Sequence, residues 1–195
     1  RNFLIEKPLA CSFQSCLKIK KLILKNKSKR VFINTFRTIS PNFKKINNIF
    51  KKKKEKITHV SVLSPSAGIG NMGSIFFDLS NYFLKSRPLE VSCEIDKTGT
   101  ANPRGIQFKD PGGYGFIKHQ NGSKVFFDLS ENTSLPYTII LKSRNIEVEI
   151  DEINKNFYIS ERPKKFQKKP DYFYLYKPLK KKITGMNPYD VVELT

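Results

Sequence analysis

Ala67 to Leu79, "AGIGNMGSIFFDL", spells G-x-G-x-x-G through Gly68, Gly70 and Gly73. A β-branched run, "ITHVSVL", precedes it, an amphipathic pattern follows it, and Glu94 lies 21 residues past Gly73. That is the order expected of a phosphate-cradling loop with a ribose-binding acid beyond it. The spacing argues otherwise. In such a loop the first glycine follows the strand almost directly, so that the helix N-terminus sits under the pyrophosphate. Here Ser64-Pro65-Ser66-Ala67 separates Leu63 from Gly68, and the segments past Glu94 read as antiparallel strands rather than as further β-α-β units. The stretch is therefore expected to be a glycine segment that opens a helix. Asn71, Ile75 and Asp78 fall at i, i+4 and i+7 on about one face of its first turns. That face either aims side chains into a cleft, or Asn71 caps, Ile75 packs in the core and Asp78 pairs with a lysine.

Working back from the glycines, Ser40-Pro41 starts a helix with Ser40 as N-cap and Pro41 in its first turn. Phe43, Ile46, Ile49 and Phe50 give it an apolar stripe, and "KKKKEK" at its end suits the macrodipole. Before it, "NFLIE" reads as a short buried strand. Ser12 caps a helix over "FQSCLKIKKLILK", striped by Phe13, Cys16, Leu17, Lys20, Ile23 and Leu24, and "RVFINTF" is a second strand. A β-α-β unit of this length implies parallel neighbours.

Forward from Arg87-Pro88 the character changes. "EVSCEID", "YGFIKHQ", "SKVFFDLS", "YTIILKS", "NIEVEID" and "KNFYISE" follow one another as strands with no helix between them. Asn121-Gly122 is a strong hairpin signal. The Pro- and Lys-rich "RPKKFQKKPDYFYLYKPLKKK" is expected to be an extended surface arm or crossover, with Tyr172, Phe173, Tyr174 and Tyr176 burying one face or serving an oligomer contact. The fold class is α+β.

Composition narrows the partners. Of 195 residues 38% are hydrophobic, enough to bury a core, and the formal charge is +19. A basic balance suits nucleic acid, but the excess is nearly all Lys, runs along the whole chain beside abundant Asn and Ile, and accompanies no recognition module. Nucleic acid is therefore not the expected primary partner. Cys11, Cys16 and Cys93 form no C-x-x-C pair, and with only two histidines no metal site is expected. No apolar stretch approaches the roughly 20 residues of a membrane span, so no membrane partner is expected. Reduced thiols in the cytoplasm are the simple reading.

Several segments fall in one order that resembles the Gfo/Idh/MocA-type oxidoreductases. "NFLIEKPLACSFQ" resembles the strand running into Glu-Lys-Pro that ends that family's nucleotide-binding half. "INTFRTISPNFKKI" is similar to its Asn-x-x-Arg segment followed by Pro and a helix, and "GNMGSIFFDLSNYFL" to its glycine-rich helix start. "DPGGYGFIKHQNGSKVFFDLSEN" fits its C-terminal open sheet. The resemblance implies the tail of a Rossmann-like β-α-β unit, a remnant of the nucleotide-binding domain over residues 1–37. A substrate-binding and oligomerisation domain follows over residues 38–195, a mostly antiparallel open sheet with flanking helices, incomplete at its C-terminus. Both ends of the chain look cut.

What the resemblance implies chemically is an NAD- or NADP-dependent enzyme acting on a sugar, cyclitol or related hydroxy compound, and a homo-oligomer formed through the C-terminal sheet. The catalytic candidate is Lys7, the lysine of Glu-Lys-Pro. A Lys in a partly desolvated cleft can donate or relay a proton. Glu6 and Pro8 define its position, and Asn34, Arg37, Asn71 and Asp78 are the remaining cleft candidates. Two departures stand out. The family's Asp-x-x-x-His pair on the glycine-opened helix reads Asn71 and Ile75 here, and isoleucine exchanges no proton. The family's own nucleotide loop belongs to a strand well before Glu-Lys-Pro, so this chain by itself is expected to be inactive. A catalytically inactive binding or scaffold relative is the alternative, and a basic nucleic-acid-binding protein is a further, weaker one.

Overall fold

Asn121-Gly122 does turn a hairpin: Gly122 takes φ +81°, a conformation that costs a glycine little, and strands β5 (Gly113–His119) and β6 (Lys124–Asp128) pair antiparallel on either side. The computed structural model describes residues 2–26, 30–65, 67–97, 109–131, 137–168 and 177–186. Before the hairpin come β1 (Asn2–Ile5), α1 (Phe13–Lys25), β2 (Arg30–Ile33), α2 (Phe36–Ile39), α3 (Pro41–Lys52), β3 (His59–Leu63), a π-helical turn (Ile69–Gly73), α4 (Ser74–Leu84) and β4 (Pro88–Ile95). After it come β7 (Thr138–Lys142), β8 (Ile146–Asp151), β9 (Asn156–Glu161), a 3₁₀ turn (Lys164–Phe166) and β10 (Leu179–Lys182).

Eight strands form one sheet in the order β10-β9-β8-β7-β3-β6-β5-β4. Every neighbour pair is antiparallel except β3 with β6. The class is α+β, as expected. One face of the sheet is covered by α3 and α4. Phe43, Ile46 and Phe50 from α3 and Phe76, Leu79 and Phe83 from α4 pack with Val60, Val125, Leu141, Val148 and Ile150 into a continuous core. Burying each such side chain contributes roughly 1.5–3 kcal/mol. The opposite face has no element over it among the described residues.

β1 and β2 form a separate parallel pair, with α1 as its crossover. Ser12 caps α1 as expected, its Oγ accepting from Ser15 N at 3.2 Å. The stripe on α1 is not buried: Phe13 is 74% exposed and no residue of the helix is buried. "NFLIE" is likewise a strand but not a buried one. Two four-residue strands are too narrow to cover either their own faces or the helix. Ser40 stands at the N-cap of α3 but makes no side-chain cap bond. The Lys-rich arm does not simply run over the surface, because its end, β10, adds to the sheet edge beside β9. Tyr172, Phe173, Tyr174 and Tyr176, and the helix start expected in "NPYDVVELT", lie outside the described residues.

Candidate functional site

The C-terminal ends of parallel strands are where a β-α-β unit presents side chains to a ligand. Here Glu6-Lys7-Pro8 follows β1 and Asn34 follows β2. Asn34 is held at that edge by its backbone N donating to Ile5 O at 2.8 Å, and its side-chain Nδ2 donates to Glu6 Oε1 at 2.8 Å. Glu6 is thereby turned toward β2, leaving Lys7 to point the other way. The Lys7–Pro8 peptide is cis, and Pro8 itself is exposed. Lys7 Nζ donates to the backbone O of Asn71 at 3.2 Å and also to its side-chain Oδ1. So Lys7 and Asn71, 64 residues apart, form the centre of one half-buried polar contact. It joins the edge of the two-stranded sheet to the glycine-opened helix.

The glycine segment has an anion partner of its own. Asp110 Oδ1 accepts from Gly70 N at 2.8 Å and its Oδ2 from Asn71 N at 2.7 Å. Ile69 N donates to Pro111 O at 3.0 Å, clamping the same two strands of chain together. The glycines serve this approach. A Cβ on Gly68 would overlap the Asp110 carboxylate and come within 2.7 Å of its backbone O, and one on Gly70 would lie 3.1 Å from Asp110 Oδ1. The amides that a phosphate would need are already satisfied by a carboxylate. These residues do not fit a dinucleotide pyrophosphate, as the spacing before Gly68 suggested. Glu94, the ribose-acid position of that reading, stands on β4 and accepts from Tyr114 Oη at 2.5 Å.

The other candidates are dispersed. Ile75 is buried (3% exposed) yet lies outside the continuous core. Asp78 is half-buried on α4 and makes no hydrogen bond or ion pair among the described residues. Arg37 is not at a cleft edge. It is 4% exposed, and its Nε donates to Glu152 Oε2 at 3.0 Å while one terminal nitrogen donates to Tyr137 Oη at 2.8 Å. Tyr137 in turn donates to Glu152 Oε2. Burial works against the Arg37 charge, but Glu152 and Tyr137 outweigh it and hold the guanidinium above its ordinary range. Burial also pushes the Tyr137 phenol well above its ordinary range, with Arg37 opposing and Glu152 adding to the shift. This triad is a latch: a guanidinium, a phenol and a carboxylate joined by hydrogen bonds and an ion pair between distant parts of the chain.

Two residues essential to the local geometry, Asp110 and Glu152, were not among the sequence candidates. Each acts on a partner dozens of residues away, Asp110 across 40 and Glu152 across 115, and no local spacing rule reaches that far.

No family model and no curated protein matches the sequence. Solved structures do match the fold. An oxidoreductase domain protein from Kribbella flavida superposes with a TM-score of 0.67 at 13% identity, over 95% of this chain and 57% of that one. UDP-N-acetylglucosamine 3-dehydrogenase GnnA from Acidithiobacillus ferrooxidans gives 0.63 at 13% identity, over 92% and 55%. A super-repressor mutant of Gal80p from Saccharomyces cerevisiae gives 0.69 at 11% identity, over 96% and 55%. The fold is that of Gfo/Idh/MocA-type oxidoreductases, in their C-terminal portion. The chain spans about half the length of the structures it matches. The Lys7–Asn71 contact joins the β1–α1–β2 unit to the turn that opens the helix packed on the large sheet.

Proposed function

We propose that this chain is the C-terminal part of an NAD- or NADP-dependent oxidoreductase acting on a sugar, cyclitol or related hydroxy compound. The observation that carries the reading is the meeting of Lys7 with Asn71 at the C-terminal edge of the β1–β2 pair. Nζ of Lys7 is oriented by two oxygens of one residue, the backbone and side-chain oxygens of Asn71. A substrate hydroxyl replacing one of those oxygens would receive or give its proton at Nζ. A nicotinamide bound in the whole protein would supply hydride-transfer chemistry. Among the described residues the glycine segment is no pyrophosphate cradle, because Asp110 occupies its amides. The protein would work in the cytoplasm, a setting that fits three cysteines without a disulfide, and as a homo-oligomer through the open face of the large sheet.

One observation favours a second reading, a binding or scaffold relative without turnover. The helix that would carry a titratable partner for Lys7 instead presents Asn71, already bonded to it, and buried Ile75. The test is NAD(P) reduction by the full-length protein over a panel of sugars and cyclitols, with Lys7→Ala and Lys7→Arg beside it. A loss of about 10²-fold or more in kcat for Lys7→Ala, with KM changed far less, supports the oxidoreductase. Equal rates for wild type and Lys7→Ala would remove Lys7 from the chemistry. Sugar binding without turnover in the wild type would favour the scaffold.

A further inference from the structure

The lysines are spread along the sequence, but the strand register gathers many of them at one end of the large sheet. β3, β4, β6, β8 and β10 start at the end where β5, β7 and β9 finish. Six connections meet there: residues 53–58, 85–87, 119–123, 143–145, 162–168 and 177–178. Together they hold eleven lysines and arginines and a single carboxylate, Glu55. Over their described residues, the connections at the opposite end hold three lysines and four carboxylates, Asp96, Asp110, Glu131 and Glu152. Ten of the eleven cations are exposed, Arg162 alone being buried. Lys53 is paired with Glu161 at 2.8 Å, and Glu55 accepts from Asn145 Nδ2 at 2.7 Å. Lys54, Lys56, Lys85, Arg144, Lys164 and Lys168 make no ion pair among the described residues.

Part of this charge has a structural use. α3 and α4 both finish at this end, and a helix C-terminus favours a cation beside its last turn. That accounts for Lys53 and Lys85, the two C-cap residues, and for none of the cations between β7 and β8 or after β9. Like charges left together repel, and a polyanion relieves them. Within these connections no large apolar side chain is exposed, so they offer nothing to enter a bilayer and no ring on which an unstacked base can lie. Neighbouring strands lie about 4.8 Å apart, so eight of them set the connections along a row of up to about 34 Å, one turn of a duplex. We propose that this end of the sheet docks a nucleic-acid duplex along its phosphate backbone, without reading its sequence, as a second partner beside a small-molecule substrate. The length of α4, about 16 Å, separates Lys85 from the Lys7–Asn71 contact, so the duplex and the substrate are handled at different ends of the sheet.

The experiment is fluorescence anisotropy of the full chain with two labelled DNA duplexes of unrelated sequence, about 20 base pairs each, from about 50 to about 200 mM salt. A single strand of the same length and vesicles containing phosphatidylserine are run at matched salt, and circular dichroism confirms that each variant is folded. The expected result is equal affinity for the two duplexes and a log–log salt slope of about −5, as for about six neutralised phosphates. Lys54→Gln with Lys56→Gln, and separately Lys164→Gln with Lys168→Gln, should weaken both duplexes alike and make the slope shallower by about 2. Lys97→Gln with Lys155→Gln removes the same charge from the opposite end and should leave the slope unchanged. Equal weakening by that pair would show that net charge, and not this end of the sheet, does the binding. No duplex binding at about 50 mM salt would overturn the proposal outright. Tighter binding to the single strand or to the vesicles would overturn the duplex as the partner.

Discussion

Asp110 does for the glycine segment what a phosphate does in a nucleotide loop, and it does so permanently. Two backbone N–H groups at the start of a helix, Gly70 and Asn71, are orphan donors that need an acceptor, and the carboxylate supplies one oxygen to each. Gly68 has ordinary backbone angles, φ −54° and ψ 136°, so its lack of a side chain answers the closeness of Asp110 and not a strained conformation. Two expectations follow from that arrangement. Asp110→Ala leaves both donors without a partner and should cost about 1–3 kcal/mol of stability, while Asp110→Asn, which keeps one acceptor, should cost less. Gly68→Ala should destabilise by a similar amount through overlap with Asp110. Urea unfolding of the four proteins checks both points. An Asp110→Ala midpoint equal to wild type would mean that water satisfies these amides as well as the carboxylate does.

At the scale of elements, Arg37 ties the short helix α2 to distant parts of the chain. Arg37 reaches from α2 to Tyr137 before β7 and to Glu152 after β8, and stacks near the rings of Phe36 and Phe76. Removing one partner of a buried pair leaves a charge in a dry place, so Glu152→Ala should cost about 3–5 kcal/mol and Tyr137→Phe about 1–2 kcal/mol, both measurable by denaturant unfolding. Tyr137 is more easily protonated in the folded state than when unfolded. Its stabilisation is therefore complete below the ordinary phenol value of about 10 and declines as pH rises toward its folded value. Tyr137→Phe should flatten that alkaline loss. His59 on β3 behaves in the opposite sense: partial burial, then Lys124 and Lys142, hold its pKa below the ordinary 6.5. Its contribution is present above that value and fades as pH falls through the lowered one. An NMR titration should show the His59 value rising in Lys124→Gln, and an unchanged value would mean that Lys124 plays no part in lowering it. None of these long contacts was legible in the sequence. What was legible were features with a local signature: the Ser12 cap, the Asn121-Gly122 turn, the alternating strands, and the stripe of α3. Four-residue α2 falls below the length at which helical period shows, and β10 is a run of lysines whose strand character comes from pairing with β9.

The whole molecule divides its burial unevenly between two sheets. The eight-stranded sheet shares a continuous core with α3 and α4, while the β1–α1–β2 unit offers a four-residue parallel ladder and a helix with no buried residue. Phe3, Leu4, Leu22, Leu24 and Phe32 are all exposed there. The hydrophobic term scales with area removed from water, so this unit has little of it to set against its conformational entropy. Its link to the rest through Lys7 and Asn71 is polar and half-buried, and hydrogen bonds of that kind contribute about 0.5–1.5 kcal/mol each. The unit should then open separately from the large sheet. Native-state hydrogen exchange on this chain is expected to show the amides of β1 and β2 exchanging through an opening far less costly than that of β7 and β8. Lys7→Ala should widen the gap by loosening β1 alone. Protection of β1 equal to that of β7, falling together with it in denaturant, would show instead that the two sheets unfold as one body. In that case the lysine at their junction would have to carry more of the coupling than two hydrogen bonds of this geometry can supply.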